Sequence, residues 1–279
     1  MKISSLALLI SSACSSLFSA AYSLDSLPMA EPGSVGMNAD KLEVVNEKME
    51  NLLAENRLAG GVVVVARRGK VVHFEAYGKR NLATNEPMEK DTIFRIYSMT
   101  KAITSAAALM LWEEEKLDLD DPLSKFFPPL KRMKVWKDGN LIDIEREATV
   151  RDLMRHTSGL TYGWMSSKPI REALRSAGVL DRNKKLVTMI NGMDKVPLQF
   201  QPGSDWVYGC STDVLGGVVE VSSGMPLDEF LEERIFKPLK MMDTGFYVPA
   251  NKVKRFAANY SYKDGKLTLK DDPKTSRYL

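Results

Sequence analysis

Residues 61–66 (Gly-Val-Val-Val-Val-Ala) make a nearly unbroken apolar run, followed by Arg67-Arg68-Gly69-Lys70 and a second strand-like run over residues 71–77. β-Branched runs separated by a glycine-containing turn spell a β-hairpin. Because the first strand lacks polar alternation, it is expected to be covered on both faces, inside a sheet. A two-stranded ribbon is marginal alone, so other elements must complete it. Upstream, Asn38 precedes a helical pattern over residues 39–56, with Leu42, Val45, Met49 and Leu52 on one face. Asp40 and Glu43 lie near its start, where the helix dipole favours acids.

Ile93-Phe94-Arg95-Ile96-Tyr97 leads into Ser98, and a helical pattern continues to about residue 115. Ala102, Ile103, Ala106, Leu109, Met110 and Trp112 are expected to form its buried face. Residues 118–202 read mainly as helices and loops, with helices over 150–155 and 171–177. Two more helices are expected over 211–221 and 227–236, the second with Pro226 at its first position. Strand signals return near 246–248 and 266–270, while residues 271–279 carry no closing helix. Internal repeats and low-complexity linkers are absent. The plan is α/β (α+β): one domain over residues 24–279, expected to be incomplete at its C-terminus.

Composition narrows the function classes. The chain of 279 residues is 44% hydrophobic and 27% charged, with net charge +3. Its lysines and arginines are dispersed, which argues against a nucleic-acid partner. Residues 1–23 read as an export signal: Lys2 supplies the positive start, residues 6–10 the apolar stretch, and Ala21-Tyr22-Ser23 the cleavage site. No run is long enough for a transmembrane span, so the expected location is periplasmic or secreted. A lipoprotein anchor on Cys14 is the alternative, weakened by Ser11 standing where leucine is expected. Cleavage would leave Cys210 as the sole cysteine, hence no disulfide framework. The pattern specifies no oligomeric state.

Three places could carry chemistry. Ser98-Met99-Thr100-Lys101 puts an amine three residues after a hydroxyl, neighbours on one helix face. A serine needs a base to become a nucleophile, and a lysine in apolar surroundings can be that base or tune another. At a helix start the Ser98 backbone N–H is also free to help hold an oxyanion. About one or two such spacings occur by chance in a chain of this kind, and on the motif alone a capping serine beside a surface lysine is the better reading. Tyr208 follows the Pro202-Gly203 turn. It reads either as a base beside a cation or as a core aromatic. His73 and His156 are the only histidines. With no Gly-x-Ser-x-Gly elbow, both read as structural: His73 packed in a strand, His156 capping a helix end. Two histidines and one mature cysteine make a zinc site improbable on spacing, and no phosphate loop follows a strand.

Taken in order, several segments carry a resemblance: the hairpin over 61–77, residues 94–101, Leu117-Asp118-Leu119-Asp120-Asp121-Pro122, residues 150–160, 202–216 and 237–244. Together the chain resembles the serine β-lactamase, penicillin-binding-protein and esterase superfamily over most of residues 40–250, and it looks more like the family VIII carboxylesterases within it. The resemblance implies a β-lactamase/transpeptidase-like fold, an antiparallel sheet flanked by helices plus a mainly helical lobe. It also implies Ser98 as acylated nucleophile, Lys101 as its partner and Tyr208 as general base, acting on a small-molecule ester or lactam without metal or cofactor. Cys210 replaces the asparagine usual in the second motif of lactamases. That removes an amide able to bind a lactam or peptide carbonyl and tilts the expectation toward esters. A third motif of this superfamily is expected beyond residue 279. Lys274-Thr275-Ser276 is too near Tyr208 and is read as loop. The alternatives are a β-lactamase or D-alanyl-D-alanine carboxypeptidase, and a non-catalytic binding relative of the same fold. The 279 residues alone are expected to be inactive.

Overall fold

The structure is a computed structural model and describes residues 27–179, 181 and 183–279. The export signal and Cys14 lie outside the described residues. The chain divides into two compact units, whose described parts are residues 27–92 with 251–277, and residues 93–250 with 278–279.

The first unit is built on the expected hairpin. Strand β1 (Gly60–Arg67) pairs antiparallel with β2 (Lys70–Asn81), and the short β3 (Glu86–Pro87) continues the sheet in the order β1-β2-β3. A register shift between Val65 and Ala66 lets the tight turn at Arg68-Gly69 close. Helix α1 (Ala39–Ala54) starts on Asn38, whose side chain accepts the Lys41 backbone N–H at 3.0 Å. Strand β1 is less covered than its composition predicts. It is an edge strand among the described residues, and Val64 is 54% exposed. Apolar composition sets what a strand tolerates; its place in the sheet decides what it buries. A second hairpin, β6 (Asn259–Lys263) with β7 (Lys266–Asp271), belongs to the same unit. Its second strand matches the expected one, and its first has no clear sequence signal.

The second unit is mainly helical. Helix α6 (Ser211–Ser223) packs with α2 (Thr100–Glu113), α3 (Val150–Arg155) and α7 (Leu227–Leu231), the last continuing as a π-helical turn over Glu232–Phe236. Their shared core holds Ala107, Ala108, Leu111, Leu153, Val214 and Phe230. Helices α4 (Lys168–Ser176) and α5 (Leu186–Asn191) complete it, with a hairpin of β4 (Lys134–Lys137) and β5 (Asn140–Asp143).

Four expectations are corrected. The buried face of α2 is Thr104, Ala107, Ala108 and Leu111, with Ile103 and Met110 partly buried against the core. Ala102, Ala106, Leu109 and Trp112 are exposed. A helix apolar nearly all round gives no periodicity by which to orient it. The β4–β5 hairpin went unread because each strand has four residues and carries lysine, aspartate or asparagine. Residues 246–248 are loop, not strand. Pro226 is the N-cap of α7 rather than its first residue. Residues 272–278 form turns, with Ser276 Oγ donating to the Asp271 carboxylate at 2.7 Å.

Candidate active site

Ser98 stands in a single 3₁₀ turn (Tyr97–Met99) that runs directly into α2. Tyr97, just before it, has φ +41°. A non-glycine residue held there costs about 1–3 kcal/mol, a strain found chiefly at functional sites. One turn later Lys101 brings its Nζ to 3.5 Å from Ser98 Oγ. The i, i+3 spacing therefore does what helical geometry requires.

Tyr208 reaches the same point from 110 residues away, and its loop is built to deliver it. The segment after α3 supports the loop from below. Val207 N–H donates to the His156 carbonyl at 3.1 Å, Gly203 N–H to Thr157 at 2.8 Å, and Gln199 N–H to Gly159 at 2.9 Å. Gly209 lies so close on this segment that a Cβ would sit 2.2 Å from Leu160 O and 2.5 Å from Thr161 Cα. Any side chain there would lift Tyr208 off its support. Gly159 has φ +83°, and a Cβ would meet Phe200 O at 2.6 Å, so both sides of this seam need glycine. The buried Ser158 and Ser211 hydroxyls brace it at 2.9 Å.

The support is itself anchored by Asp152. Thr149 and Asp152 form a capping box at the start of α3. The Asp152 carboxylate takes both Arg146 nitrogens, at 2.6 and 3.1 Å, and the Thr157 hydroxyl at 2.8 Å. Burial alone would push the Asp152 carboxyl up, but Arg146, Thr157 and the Thr149 backbone outweigh it and hold it below the usual range. Sequence reasoning did not single out Arg146 or Asp152, although the Thr-x-x-Asp spacing was there to signal the cap.

Ser98 Oγ and Tyr208 OH are 2.6 Å apart, and Lys101 Nζ lies over the Tyr208 ring, 4.7 Å from its centre. The Lys101 ammonium, then the Ser98 hydroxyl, draw the Tyr208 phenol below its ordinary value against the opposing effect of burial. Its neighbour Tyr162 behaves oppositely. Burial and the Asp213 carboxylate, 3.5 Å from its hydroxyl, push Tyr162 up. Asp213 is itself raised by burial, partly offset by Lys101. Two tyrosines with rings 5.7 Å apart are thus driven in opposite directions, a separation of acid–base roles typical of catalytic centres. Tyr162 and Asp213 were not among the residues singled out from sequence, because neither lies in a recognisable spacing.

Aromatic rings wall the site. Tyr162 stacks on Trp164 at 4.5 Å, and Trp206 lies 6.5 Å from Tyr208. An open cleft of about 490 Å³ is lined by Gly163, Trp164, Arg171, Leu174 and Arg175. It shares Trp164 with this wall but includes none of Ser98, Lys101 or Tyr208, so the chemistry is located by the hydrogen bonds and not by this cleft. His156 is the C-cap of α3, in left-handed conformation at φ +58°. Its ring lies beside Tyr208, at 5.0 Å between centres. His73 lies in β2 with Nε2 2.9 Å from Tyr77 OH. Cys210 is fully buried, its thiol directed to the Thr161 carbonyl at 3.5 Å and pushed up by burial to about 12. Among the described residues no cluster of histidine, cysteine, aspartate or glutamate could hold a metal ion.

The arrangement is a hydroxyl, an acidified phenol and an ammonium within bonding reach, as acyl transfer requires. Residues 45–278 match the family model described as Beta-lactamase. The chain belongs to this family. Among curated relatives of this Beta-lactamase-family chain, protein Rv1367c of Mycobacterium tuberculosis is 36% identical over 208 residues, covering 73% of the chain and 51% of the relative. Esterase EstB of Burkholderia gladioli is 34% identical over 248 residues, covering 88% and 58%. The solved structure of EstCE1, described as a hydrolase with promiscuous acyltransferase activity, superposes with TM-score 0.73 at 28% identity, covering 83% of the chain and 59% of that structure. The fold is therefore that of the β-lactamase and esterase superfamily, mixing helices with antiparallel sheets. The chain spans about half the length of the curated relatives it matches.

Proposed function

We propose that the protein is an exported serine hydrolase that cleaves esters through an acyl-enzyme on Ser98. The observation that carries this reading is the 2.6 Å contact between Ser98 Oγ and Tyr208 OH, with Lys101 Nζ at 3.5 Å from the same Oγ. Tyr208, as phenolate stabilised by the Lys101 charge, takes the Ser98 proton while Oγ attacks the ester carbonyl. The tetrahedral intermediate collapses, the C–O bond to the alcohol breaks, and Tyr208 returns the proton to the departing oxygen. Water then attacks the Ser98 ester, giving its proton to Tyr208, and the acid leaves as Oγ is reprotonated. An alcohol in place of water would transfer the acyl group instead, and the description of EstCE1 names both outcomes.

Esters are favoured over lactams by Cys210. The position that carries asparagine in lactamases is here a thiol buried in the core and bonded to a backbone carbonyl, so it offers no amide to a substrate. Export rests on the sequence pattern of residues 1–23. Among the described residues no helix is long and apolar enough to cross a membrane.

The test is turnover of p-nitrophenyl butyrate by the natural gene product that contains this chain and by its Ser98→Ala variant. Loss of turnover to background in the variant is expected; equal rates would overturn the reading.

A further inference from the structure

His156 belongs to the site through geometry that the proposed mechanism does not use. Its backbone is fixed twice. The left-handed conformation at the end of α3 sets its direction, and its carbonyl accepts the Val207 N–H, one residue before Tyr208. Its ring then lies 5.0 Å from the Tyr208 ring and 6.2 Å from Trp206, between centres. Nδ1 is buried with no hydrogen-bond partner. A charged ring would bury an N–H donor at Nδ1 without an acceptor, at a cost of about 1–3 kcal/mol, so the neutral ring is favoured. A helix-end cation, the role its position suggests from sequence, would instead need a charged ring.

We propose that His156 is a positioning residue for Tyr208: as a neutral ring it packs the phenol against Ser98. This rests on the reading of Tyr208 as the base. The charged or titratable groups facing the ring are Lys101 from α2 and Tyr208 from the loop. On its own helix Asp152 is engaged by Arg146 and Thr157, and Arg155 is exposed. Burial, then the Lys101 charge, hold the imidazole below the ordinary histidine value, which agrees with a ring kept neutral. A proton on it would put a second positive charge beside Lys101 and leave a buried Nδ1–H unpaired.

The experiment is a pH profile of kcat and KM for p-nitrophenyl butyrate in the natural gene product and its His156→Ala and His156→Phe variants. Small displacements of a catalytic group cost on the order of 100-fold. His156→Ala is therefore expected to lose about that much kcat with KM within threefold. His156→Phe, which restores ring packing, should recover most of the loss in kcat with KM again within threefold. An unchanged kcat in His156→Ala, or a kcat in His156→Phe as low as in His156→Ala, overturns the proposal. A Ser98-independent rate in the unmutated protein instead overturns the underlying mechanism. An independent reading comes from NMR titration of the imidazole, since the sequence has two histidines and His73→Gln assigns them. Its midpoint is expected below 6.5 and should rise in Lys101→Met; a midpoint at the ordinary value overturns the proposal even where a variant fails to fold.

Discussion

At the scale of single residues, the site is a matter of one charge and two hydroxyls. Lys101 supplies the charge, and its largest consequence falls on Tyr208, whose phenol it acidifies. The active form of a base is the deprotonated one, so a lowered phenol extends activity to lower pH. Replacing Lys101 with methionine should therefore shift the alkaline-rising limb of kcat/KM to higher pH, toward the ordinary tyrosine value of 10.0. Tyr208→Phe should lower kcat about 100- to 10,000-fold at all pH values. A pH–rate series on the two variants checks both, and a limb that stays in place in Lys101→Met would separate the lysine from the phenol. Ser98 and Lys101 were legible in the sequence because a helix makes i and i+3 neighbours whatever surrounds it. Tyr162 and Asp213 were not, because their closeness to Tyr208 is created by the seam at Gly159 and Gly209.

At the scale of elements, α2 shows what an apolar helix hides from pattern reading. Its length and start were visible, while the face it buries was misassigned, since alanine and leucine occupy both sides. Leu111 is fully buried in the core, and Leu109, two residues away, is 37% exposed. Leu111→Ala should cost about 2–5 kcal/mol, and Leu109→Ala no more than about 0.5 kcal/mol, as for a surface change. Urea unfolding of the two variants measures the difference, and similar losses would contradict the orientation of α2. Helix α3 makes the complementary case. Its start follows from the Thr149–Asp152 cap, a local rule needing no partner, yet the purpose of that cap, holding the segment under Tyr208, is tertiary.

At the scale of the whole molecule, the residues of the site all come from the unit over residues 93–250, although Ser98 and Tyr208 are 110 residues apart. Cys210 reports on that unit's packing, because it sits where the Tyr208 loop enters α6 and bonds to the segment at Thr161. Burial both shields the thiol and holds it protonated, so the reactive thiolate is suppressed. Modification of Cys210 by a disulfide reagent, followed by mass mapping, should be negligible in the native protein and rise only with the unfolding transition. Rapid native labelling would mean that the loop opens without unfolding.

By itself the sequence determined the chain's class, the hairpin over residues 61–77, most helix positions and the Ser98–Lys101 pair. Each of these depends on contacts within a few residues or on an ordered series of motifs. Tertiary structure alone decided which face of α2 is buried, that β1 lies at an edge among the described residues, and that Tyr162, Asp213 and His156 adjoin Tyr208. Those facts depend on backbone segments meeting at van der Waals distance and on charges felt across them, and no spacing along a chain encodes either.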